Sequence, residues 1–194
     1  MKKKTIFCLI GGSGSGKSSI LNEMKKAYEG LLELTSHCAN RPIREGEIDG
    51  VSYHFVDPAE FKKMRDNDEL AEYSEYAGGS YGLSRKVIFD TFELTDTAAF
   101  ICDSNGFNDI KIFSKSYGYE VISINIRAPL TTLKARMKKR GETAETIEKR
   151  LTKAKEELKM TGFDYVINNN KKLEDAVEKF EKIFLEVLKE GKAS

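Results

Sequence analysis

Residues 5–18 read TIFCLIGGSGSGKS, an apolar run that passes directly into a glycine-rich loop ending in lysine and serine. The run from Thr5 to Ile10 has no polar alternation, which predicts a strand buried on both faces of a parallel sheet. Residues 11–18, called the glycine loop below, match G-x-x-x-x-G-K-[ST]. We predict that a helix follows from Ser18 to about Tyr28, which is the context that this motif requires.

The glycine loop predicts a phosphate-binding site. Its glycines let successive backbone N–H groups point into one concavity at a helix N-terminus, where an anion is stabilised. Lys17 adds a positive charge for the β- and γ-phosphates of a nucleotide, and the Ser18 hydroxyl can ligate Mg²⁺. We predict that Ser18 is the metal ligand. The residues predicted to bind ATP are Gly11, Gly12, Ser13, Gly14, Ser15, Gly16, Lys17, Ser18 and Ser19. The alternative, a glycine-rich turn without a ligand, is disfavoured by the strand before it and the helix after it.

Three further apolar runs have the character of buried strands: residues 98–102, 121–126 and 165–167. Helical patterns separate them, so the chain alternates strand and helix, which predicts an α/β fold. Near the end, apolar residues recur at three- and four-residue steps from Leu173 to Leu188, as in a core-packing helix. We therefore expect a P-loop three-layer sandwich with a mainly parallel sheet.

Residues 36–96 interrupt this alternation. Residues 41–47 are typical of a loop, and residues 51–56 of a short strand. A helix should begin in Asp57-Pro58-Ala59-Glu60, with Asp57 as the N-cap, proline in the first turn and Glu60 three residues after the cap. We interpret this segment as a small α+β subdomain inserted into the α/β core.

Composition limits the class of partner. The 32 basic and 31 acidic side chains leave a net charge of only +1, which gives no general attraction for nucleic acid or an anionic membrane. Cys8, Cys38 and Cys102 are scattered without a C-x-x-C pair, as expected of reduced thiols. The apolar run after the first lysines is too short for a signal peptide. We expect a cytoplasmic protein that binds small-molecule nucleotides, not nucleic acid or membrane, as a monomer or homodimer.

A second anion site is indicated by side chains in the inserted segment. Arg41 and Arg44 supply two guanidinium forks, and Tyr53 and Tyr81 supply two phenolic donors. A phosphate dianion needs about that many donors when it leaves water. Taken singly, each of these residues is more often solvated than bound to a ligand.

The chain resembles the guanylate kinase family over nearly its full length. Residues 41–50 and 53–56, RPIREGEIDG and YHFV, resemble the family segment T-R-x-P-R-x-G-E-x-x-G-x-x-Y-x-F-V. Residues 72–82, EYSEYAGGSYG, resemble E-x-x-x-x-x-G-x-x-Y-G, and residues 103–106, DSNG, stand where the family has D-x-Q-G. Residues 133–151 resemble the family lid. The motifs occur in the family's order.

This resemblance implies an enzyme that transfers the γ-phosphoryl group of ATP to GMP or dGMP, with Mg²⁺ as cofactor. It also implies one domain over residues 1–194. Within it we expect a core of residues 1–35 and 97–194, a GMP-binding subdomain of about 36–96, and a lid of about 136–158. No general base is required, because the acceptor is already an anionic phosphate oxygen.

The resemblance assigns roles to individual residues. It implies GMP binding by Ser36, His37, Arg41, Arg44, Tyr53, Glu72, Tyr81 and Asp103. Glu72 and Asp103 would read the base, since carboxylates only accept hydrogen bonds and guanine offers N1–H and a 2-amino group, whereas adenine has a bare N1. The catalytic residues would be Lys17, Arg41, Arg136, Arg140 and Arg150. In isolation, the charge-rich segment 134–159 could equally be a solvated helical pair.

Several positions depart from the family. The approach to Arg41 reads SHCAN over residues 36–40, which leaves open whether Ser36 or His37 faces the base. Leu83 stands where the family has threonine, and Ile101 stands where it has an acidic residue. Asn168 lies near the expected adenine position.

These departures leave two alternatives. One is a divergent nucleoside monophosphate kinase with a shifted acceptor. The other is a non-catalytic interaction module with a guanylate kinase fold. The second is disfavoured because Lys17, Ser18, Arg41, Arg44 and Glu72 are all present, and modules of that kind commonly have a damaged glycine loop.

Overall fold

The computed structural model describes residues 3–34, 37–43, 47–50, 53–76 and 79–190. Two residues of the predicted acceptor site, Ser36 and Arg44, lie outside these ranges. The described strands are β1 (Thr5–Ile10), β2 (Glu33–Leu34), β3 (Cys38–Asn40), β4 (His54–Phe55), β5 (Leu70–Tyr76), β6 (Gly79–Ser84), β7 (Thr97–Ile101), β8 (Glu120–Arg127) and β9 (Tyr165–Asn168). The described helices are α1 (Lys17–Ala27), α2 (Pro58–Asp66), α3 (Arg85–Leu94), α4 (Ser104–Tyr117), α5 (Leu130–Lys139), α6 (Ala144–Glu157) and α7 (Leu173–Glu190).

The central sheet is parallel, in the order β2-β7-β1-β8-β9. β1 lies in the middle and all six of its residues are buried, as its uninterrupted apolar pattern predicts. The apolar runs predicted as strands are β1, β7, β8 and β9. The α/β fold with a mainly parallel sheet is confirmed.

Helices cover both faces of this sheet. Side chains of a strand point alternately to opposite faces, so Phe7 joins a core cluster with Phe180 and Phe184 of α7. Its neighbour Ile6 joins a second cluster, which includes residues of α3 and α4 such as Ile88 and Ile110. The sheet is therefore the middle of three layers, and the carboxyl end of β1 delivers the glycine loop to one edge.

A second sheet, called the small sheet below, has the order β4-β3-β6-β5. β6 runs antiparallel to both β3 and β5, whereas β4 runs parallel to β3. α2 begins where its capping signal predicts, because the Asp57 side chain accepts a hydrogen bond from Glu60 N at 2.8 Å. β5 packs against α4, which brings the small sheet to the edge of the central sheet.

α5 and α6, called the helical pair below, share a small apolar core of their own that includes Leu133, Met137, Ile147 and Leu151. The pair lies directly on the glycine loop. A Cβ placed on Gly12 would come within 2.9 Å of the Ala154 Cβ of α6. No helix among the described residues is both long and apolar enough to cross a membrane.

Candidate active site

The glycine loop turns tightly between β1 and α1. Gly11 and Gly16 adopt φ values of +140° and +101°, which residues with a Cβ rarely reach. A Cβ at Gly11 would overlap the Ile126 carbonyl, and one at Gly16 would overlap the Asn169 amide. Both the backbone conformation and the surroundings therefore require glycine at these two positions.

Lys17 folds back onto the loop. Its Nζ donates to the carbonyls of Gly11 and Gly12, the second at 3.2 Å. Burial lowers the pKa of Lys17 to about 8, although the negative charge of Glu157 acts in the opposite direction. The ammonium group is therefore held at the loop, where it can meet the phosphates of a nucleotide.

Ser18 and Ser19 are exposed in the first turn of α1, so the Ser18 hydroxyl is accessible to a metal ion. Within the described ranges, no group of three or more histidine, cysteine, aspartate or glutamate side chains could hold a metal ion. A hydroxyl oxygen suits Mg²⁺, which usually takes one or two protein ligands and completes its shell with phosphates and water. The residues present fit such a partly hydrated ion.

Arg136 binds the glycine loop from α5. Its Nη1 donates to the carbonyls of Gly14 at 3.0 Å and Ser15 at 3.3 Å, and its Nη2 donates to the Asn169 carbonyl at 3.1 Å. The amide of the buried Asn169 in turn donates to the Ser15 carbonyl at 2.7 Å. Asn169 is not among the residues that the sequence pattern indicates, and its neighbour Asn168, expected near the adenine position, is exposed.

The other two predicted lid arginines differ from each other. Arg150 of α6 donates through Nη1 to Ser13 Oγ at 3.1 Å and to Glu142 Oε1 at 2.9 Å. Arg140 directly follows α5 and is exposed. Burial lowers the pKa values of Lys17 and Arg136, and the positive charge of Arg140 lowers them further. The structure therefore brings Arg136 and Arg150 into contact with the loop and leaves Arg140 beside it in solvent.

Arg41 lies in a cage of aromatic rings at the end of the small sheet. Its Nε donates to Tyr81 Oη at 2.9 Å. The centre of its guanidinium group is 5.2 Å from the ring of Tyr53, 5.4 Å from that of Phe55 and 5.7 Å from that of Tyr81. Three residues of the predicted acceptor site, Arg41, Tyr53 and Tyr81, are thus brought together.

The Arg41 guanidinium group already binds a carboxylate. Both of its terminal nitrogens donate to Glu47, each at 2.6 Å, which further raises the pKa of Arg41. An acceptor phosphate must therefore share the guanidinium group with Glu47 or displace that carboxylate. Glu47 is not among the predicted site residues, although it stands six residues after Arg41 in the same motif.

Glu72 of β5 is 3% exposed. Its Oε1 lies 3.0 Å from Nε2 of His37, and its other oxygen lies against Gly106, where any side chain would overlap it. His37 therefore contacts the predicted base-reading carboxylate, whereas Ser36 lies outside the described residues, so the choice between the two stays open.

Asp103 caps α4 and also faces the helical pair. Its Oδ1 accepts from Asn105 N at 3.1 Å and Gly106 N at 3.0 Å, and its Oδ2 accepts from Lys153 Nζ at 2.9 Å. Burial acts to raise the pKa of Asp103, but the Gly106 N–H and Lys153 outweigh it and hold the pKa below its ordinary value. Asp103 is therefore an ionised hydrogen-bond acceptor at neutral pH.

A third carboxyl group belongs to this cluster. Partial burial raises the pKa of Asp109, and the negative charges of Glu72 and Asp103 raise it further. The region between β5 and α4 is therefore rich in carboxylate acceptors, one of which also binds Lys153, and it suits a ligand that presents neighbouring N–H groups.

Two of the departures from the family pattern are explained by packing. Ala39 and Leu83 are fully buried, and Leu83 belongs to the core cluster that includes Ala71 and Ile88. At these positions the chain has apolar contacts instead of polar groups near the acceptor site.

Comparisons with known proteins agree with this geometry. A family model described as guanylate kinase matches residues 2–187. The guanylate kinase of Carboxydothermus hydrogenoformans is 34% identical over 185 residues, covering 94% of this chain and 88% of that protein. The guanylate kinase of Syntrophus aciditrophicus is 35% identical over 177 residues, covering 91% and 83%.

The fold is also found in a solved relative. The crystal structure of guanylate kinase from Anaplasma phagocytophilum matches with a TM-score of 0.71 and 26% identity, over 95% of this chain and 87% of that one. The resemblance inferred from the motifs is confirmed by these matches along nearly the whole sequence. The chain belongs to the guanylate kinase family.

Proposed function

We propose that the chain catalyses transfer of the γ-phosphoryl group of ATP to GMP or dGMP, giving ADP and GDP or dGDP. The observation that carries this proposal is the pairing of two different sites at one edge of the central sheet. One is the glycine loop with Lys17. The other combines the Arg41 cage with the carboxylates of Glu72 and Asp103.

The donor nucleotide binds on the glycine loop. Backbone N–H groups of residues 11–16 and the N-terminus of α1 surround the β- and γ-phosphates, and Lys17 leaves the loop carbonyls to meet them. The Ser18 hydroxyl would hold Mg²⁺, and the ion would supply charge neutralisation at the phosphates. Ser13, Ser15 and Ser19 complete the polar lining of the site.

The helical pair acts as the lid. Arg136 and Arg150 already contact the loop, so a modest reorientation brings both guanidinium groups onto the phosphates. Arg140, which is exposed, adds a third positive charge to the lid. Together they neutralise charge on the transferring group and exclude water, which would otherwise accept the phosphoryl group.

The acceptor phosphate binds the Arg41 cage, with Tyr53, Tyr81 and Arg44 as further donors. The base lies between β5 and α4, where Glu72 and Asp103 accept its N1–H and 2-amino hydrogens. Adenine offers a bare N1 and no 2-amino group, so it would leave buried carboxylates unpaired. His37, which touches Glu72, completes this pocket, with Ser36 beside it in the chain.

This assignment divides the chain by role. We propose that residues 1–35 and 97–194 form the core, about 36–96 the GMP-binding subdomain and about 136–158 the lid. The enzyme is cytoplasmic, acts on small-molecule nucleotides as a monomer or homodimer, and has neither nucleic acid nor membrane as a partner.

A panel of acceptors tests the proposal. ADP release is measured with ATP and Mg²⁺ and with GMP, dGMP, AMP, CMP or UMP as acceptor. We expect GMP and dGMP to exceed the others by about two orders of magnitude or more in kcat/KM, since the discriminating groups are buried carboxylates. Equal rates with AMP would contradict the base-reading role of Glu72 and Asp103.

A second candidate is a shifted acceptor preference within the same reaction class. The observation that favours it is the His37 ring against Glu72, combined with apolar Ala39 and Leu83 at the acceptor side. The same panel decides between the two, if purine nucleotides altered at the 6-position are added. A higher kcat/KM for one of these than for GMP would favour the shifted preference.

A further inference from the structure

One face of α6 carries three charged side chains that lie against two separate parts of the molecule, the glycine loop and the start of α4. Arg150, Lys153 and Glu157 are spaced by three and four residues, so they lie on one side of the helix. Arg150 contacts Ser13 of the glycine loop, and Lys153 contacts Asp103 at the start of α4. α6 therefore touches both proposed substrate sites.

Lys153 is the contact on the acceptor side. Its Nζ lies 2.9 Å from Asp103 Oδ2, and the two side chains are 32% and 17% exposed. The other oxygen of Asp103 is engaged by the backbone of α4. Lys153 thus holds the one carboxylate oxygen that the helix cap leaves available, and any base that hydrogen-bonds there must adjust to this ion pair.

Glu157 is the contact on the donor side. It is 9% exposed and lines a small cavity of about 10 Å³ with Gly11, Gly12 and Asn125, beside the carbonyls that hold Lys17. Among the described residues its Oε2 has no hydrogen-bond partner. Burying an incompletely bonded carboxylate costs stability, so packing alone does not account for this residue.

The charges around Glu157 indicate what it does. Burial raises the pKa of Glu157, and the positive charges of Lys17 and Lys153 act in the opposite direction. Basic and acidic side chains thus alternate from the donor loop to the acceptor site in the order Lys17, Glu157, Lys153 and Asp103, and the last two are in direct contact.

We propose that Lys153 and Glu157 are positioning residues that couple the acceptor site to the donor site, so that a guanine base engaging Asp103 alters the placement of Lys17 through α6. This inference rests on the proposed function, which gives Asp103 and Lys17 their roles. Ala154 of α6 packs on Gly12, so a small shift of the helix is transmitted to the loop. Coupling of this kind is reciprocal: GMP tightens ATP binding by the same factor as ATP tightens GMP binding.

The test uses Lys153→Met and Glu157→Gln, with Lys155→Met and Glu156→Gln as controls, because both control positions are exposed on the same helix. The affinity of GMP is measured by calorimetry with and without a non-hydrolysable ATP analogue. The kcat and KM for GMP are measured in parallel. We expect unmodified enzyme to show coupling of about fivefold or more. In Lys153→Met and Glu157→Gln, the factor by which the ATP analogue increases the affinity for GMP should fall towards one. In the two control variants this factor should be unchanged.

Two further variants separate positioning from folding. Lys153→Arg keeps the charge and should retain the coupling. The Lys153→Met/Glu157→Gln double variant should lose no more coupling than either single change, since both residues are proposed to act on the same helix between the same two sites. Thermal melting of each variant reports folding separately.

If the coupling in Lys153→Met equals that in Lys155→Met, the inference is overturned. The proposed function would still stand in that case, provided that the unmodified enzyme phosphorylates GMP. Unmodified enzyme that phosphorylates GMP without any coupling would likewise overturn only the inference. Failure of the unmodified enzyme to phosphorylate GMP at all would overturn both.

Discussion

The glycine loop and the small sheet are both proposed to bind a phosphate, but they are built differently. In the loop, the donors are backbone N–H groups of consecutive residues, and local conformation places them. In the small sheet, the donors are side chains from separate elements, and Arg41 reaches its position through Tyr81 of another strand and a bidentate contact with Glu47. The donor site is thus determined locally, whereas the acceptor site depends on packing.

The two regions also differ in charge. Three cations contact the glycine loop. Lys17 and Arg136 donate to its carbonyls, and Arg150 donates to the Ser13 hydroxyl. The acceptor region combines one caged arginine with the carboxylates Glu47, Glu72, Asp103 and Asp109. In the proposed function, the first region binds the phosphates of the donor nucleotide, and the second selects the acceptor. Four substitutions test this contrast, in order of expected effect.

The largest effect is expected at the donor site. Lys17→Ala removes the charge that meets the β- and γ-phosphates, and we expect kcat/KM for ATP to fall about 10³-fold, as for other single electrostatic groups in active sites. A coupled assay of ADP release measures it. Lys26→Ala, at the exposed end of the same helix, is the control, and circular dichroism should show that both variants fold. Unchanged turnover in Lys17→Ala would contradict the assignment of the donor site.

The next effect concerns which base is accepted. Glu72→Gln places an amide where an acceptor-only carboxylate faces the guanine N–H groups, and we expect the preference for GMP over AMP to fall by about 10²-fold. The ratio of kcat/KM values for the two nucleotides measures it. Glu75→Gln is the matched control, since Glu75 lies exposed on the same strand. A preserved ratio would place base selection elsewhere in the site.

A smaller effect is expected in the phosphate cage. Arg41→Lys keeps the charge but loses the planar fork that binds Glu47 and stacks among the rings, so KM for GMP should rise about tenfold with a smaller change in kcat. Steady-state kinetics at saturating ATP measure both constants. Arg65→Lys, on the partly exposed face of α2, serves as the control. A lower kcat at unchanged KM would indicate a role confined to the transition state.

The smallest effect on catalysis is expected at Leu83. Leu83→Thr restores the family's polar residue at a fully buried position, and we expect it to destabilise the fold by about 1–3 kcal/mol through lost packing and a buried hydroxyl. Thermal or urea unfolding measures this, with Leu83→Val separating the loss of volume from the hydroxyl. A variant as stable as the unmodified protein, with altered acceptor preference, would show that position 83 belongs to the site.

Much of the fold could be predicted from local pattern. β1, the glycine loop and α1 follow from a contiguous apolar run and a fixed motif, and the start of α2 follows from the capping signal at Asp57. The predicted boundaries differ from the observed ones by about one residue for most of these elements, because helix ends and strand ends depend on their final contacts.

The partners of the site residues could not be predicted in this way. His37 against Glu72, Lys153 on Asp103 and Asn169 beneath the glycine loop join residues that are 35, 50 and 154 positions from their partners. Such contacts depend on how β5, α4 and α6 pack together, and no local periodicity encodes that.

The sequence alone predicts a phosphate-binding loop between a buried strand and a helix, because adjacent residues supply both the turn and the backbone N–H donors. Only the tertiary structure decides which charges face one another across the site. Each of those charges is surrounded by groups from distant parts of the chain, and burial determines how strongly they interact. The alternation from Lys17 to Asp103 across α6 exists only in the folded protein.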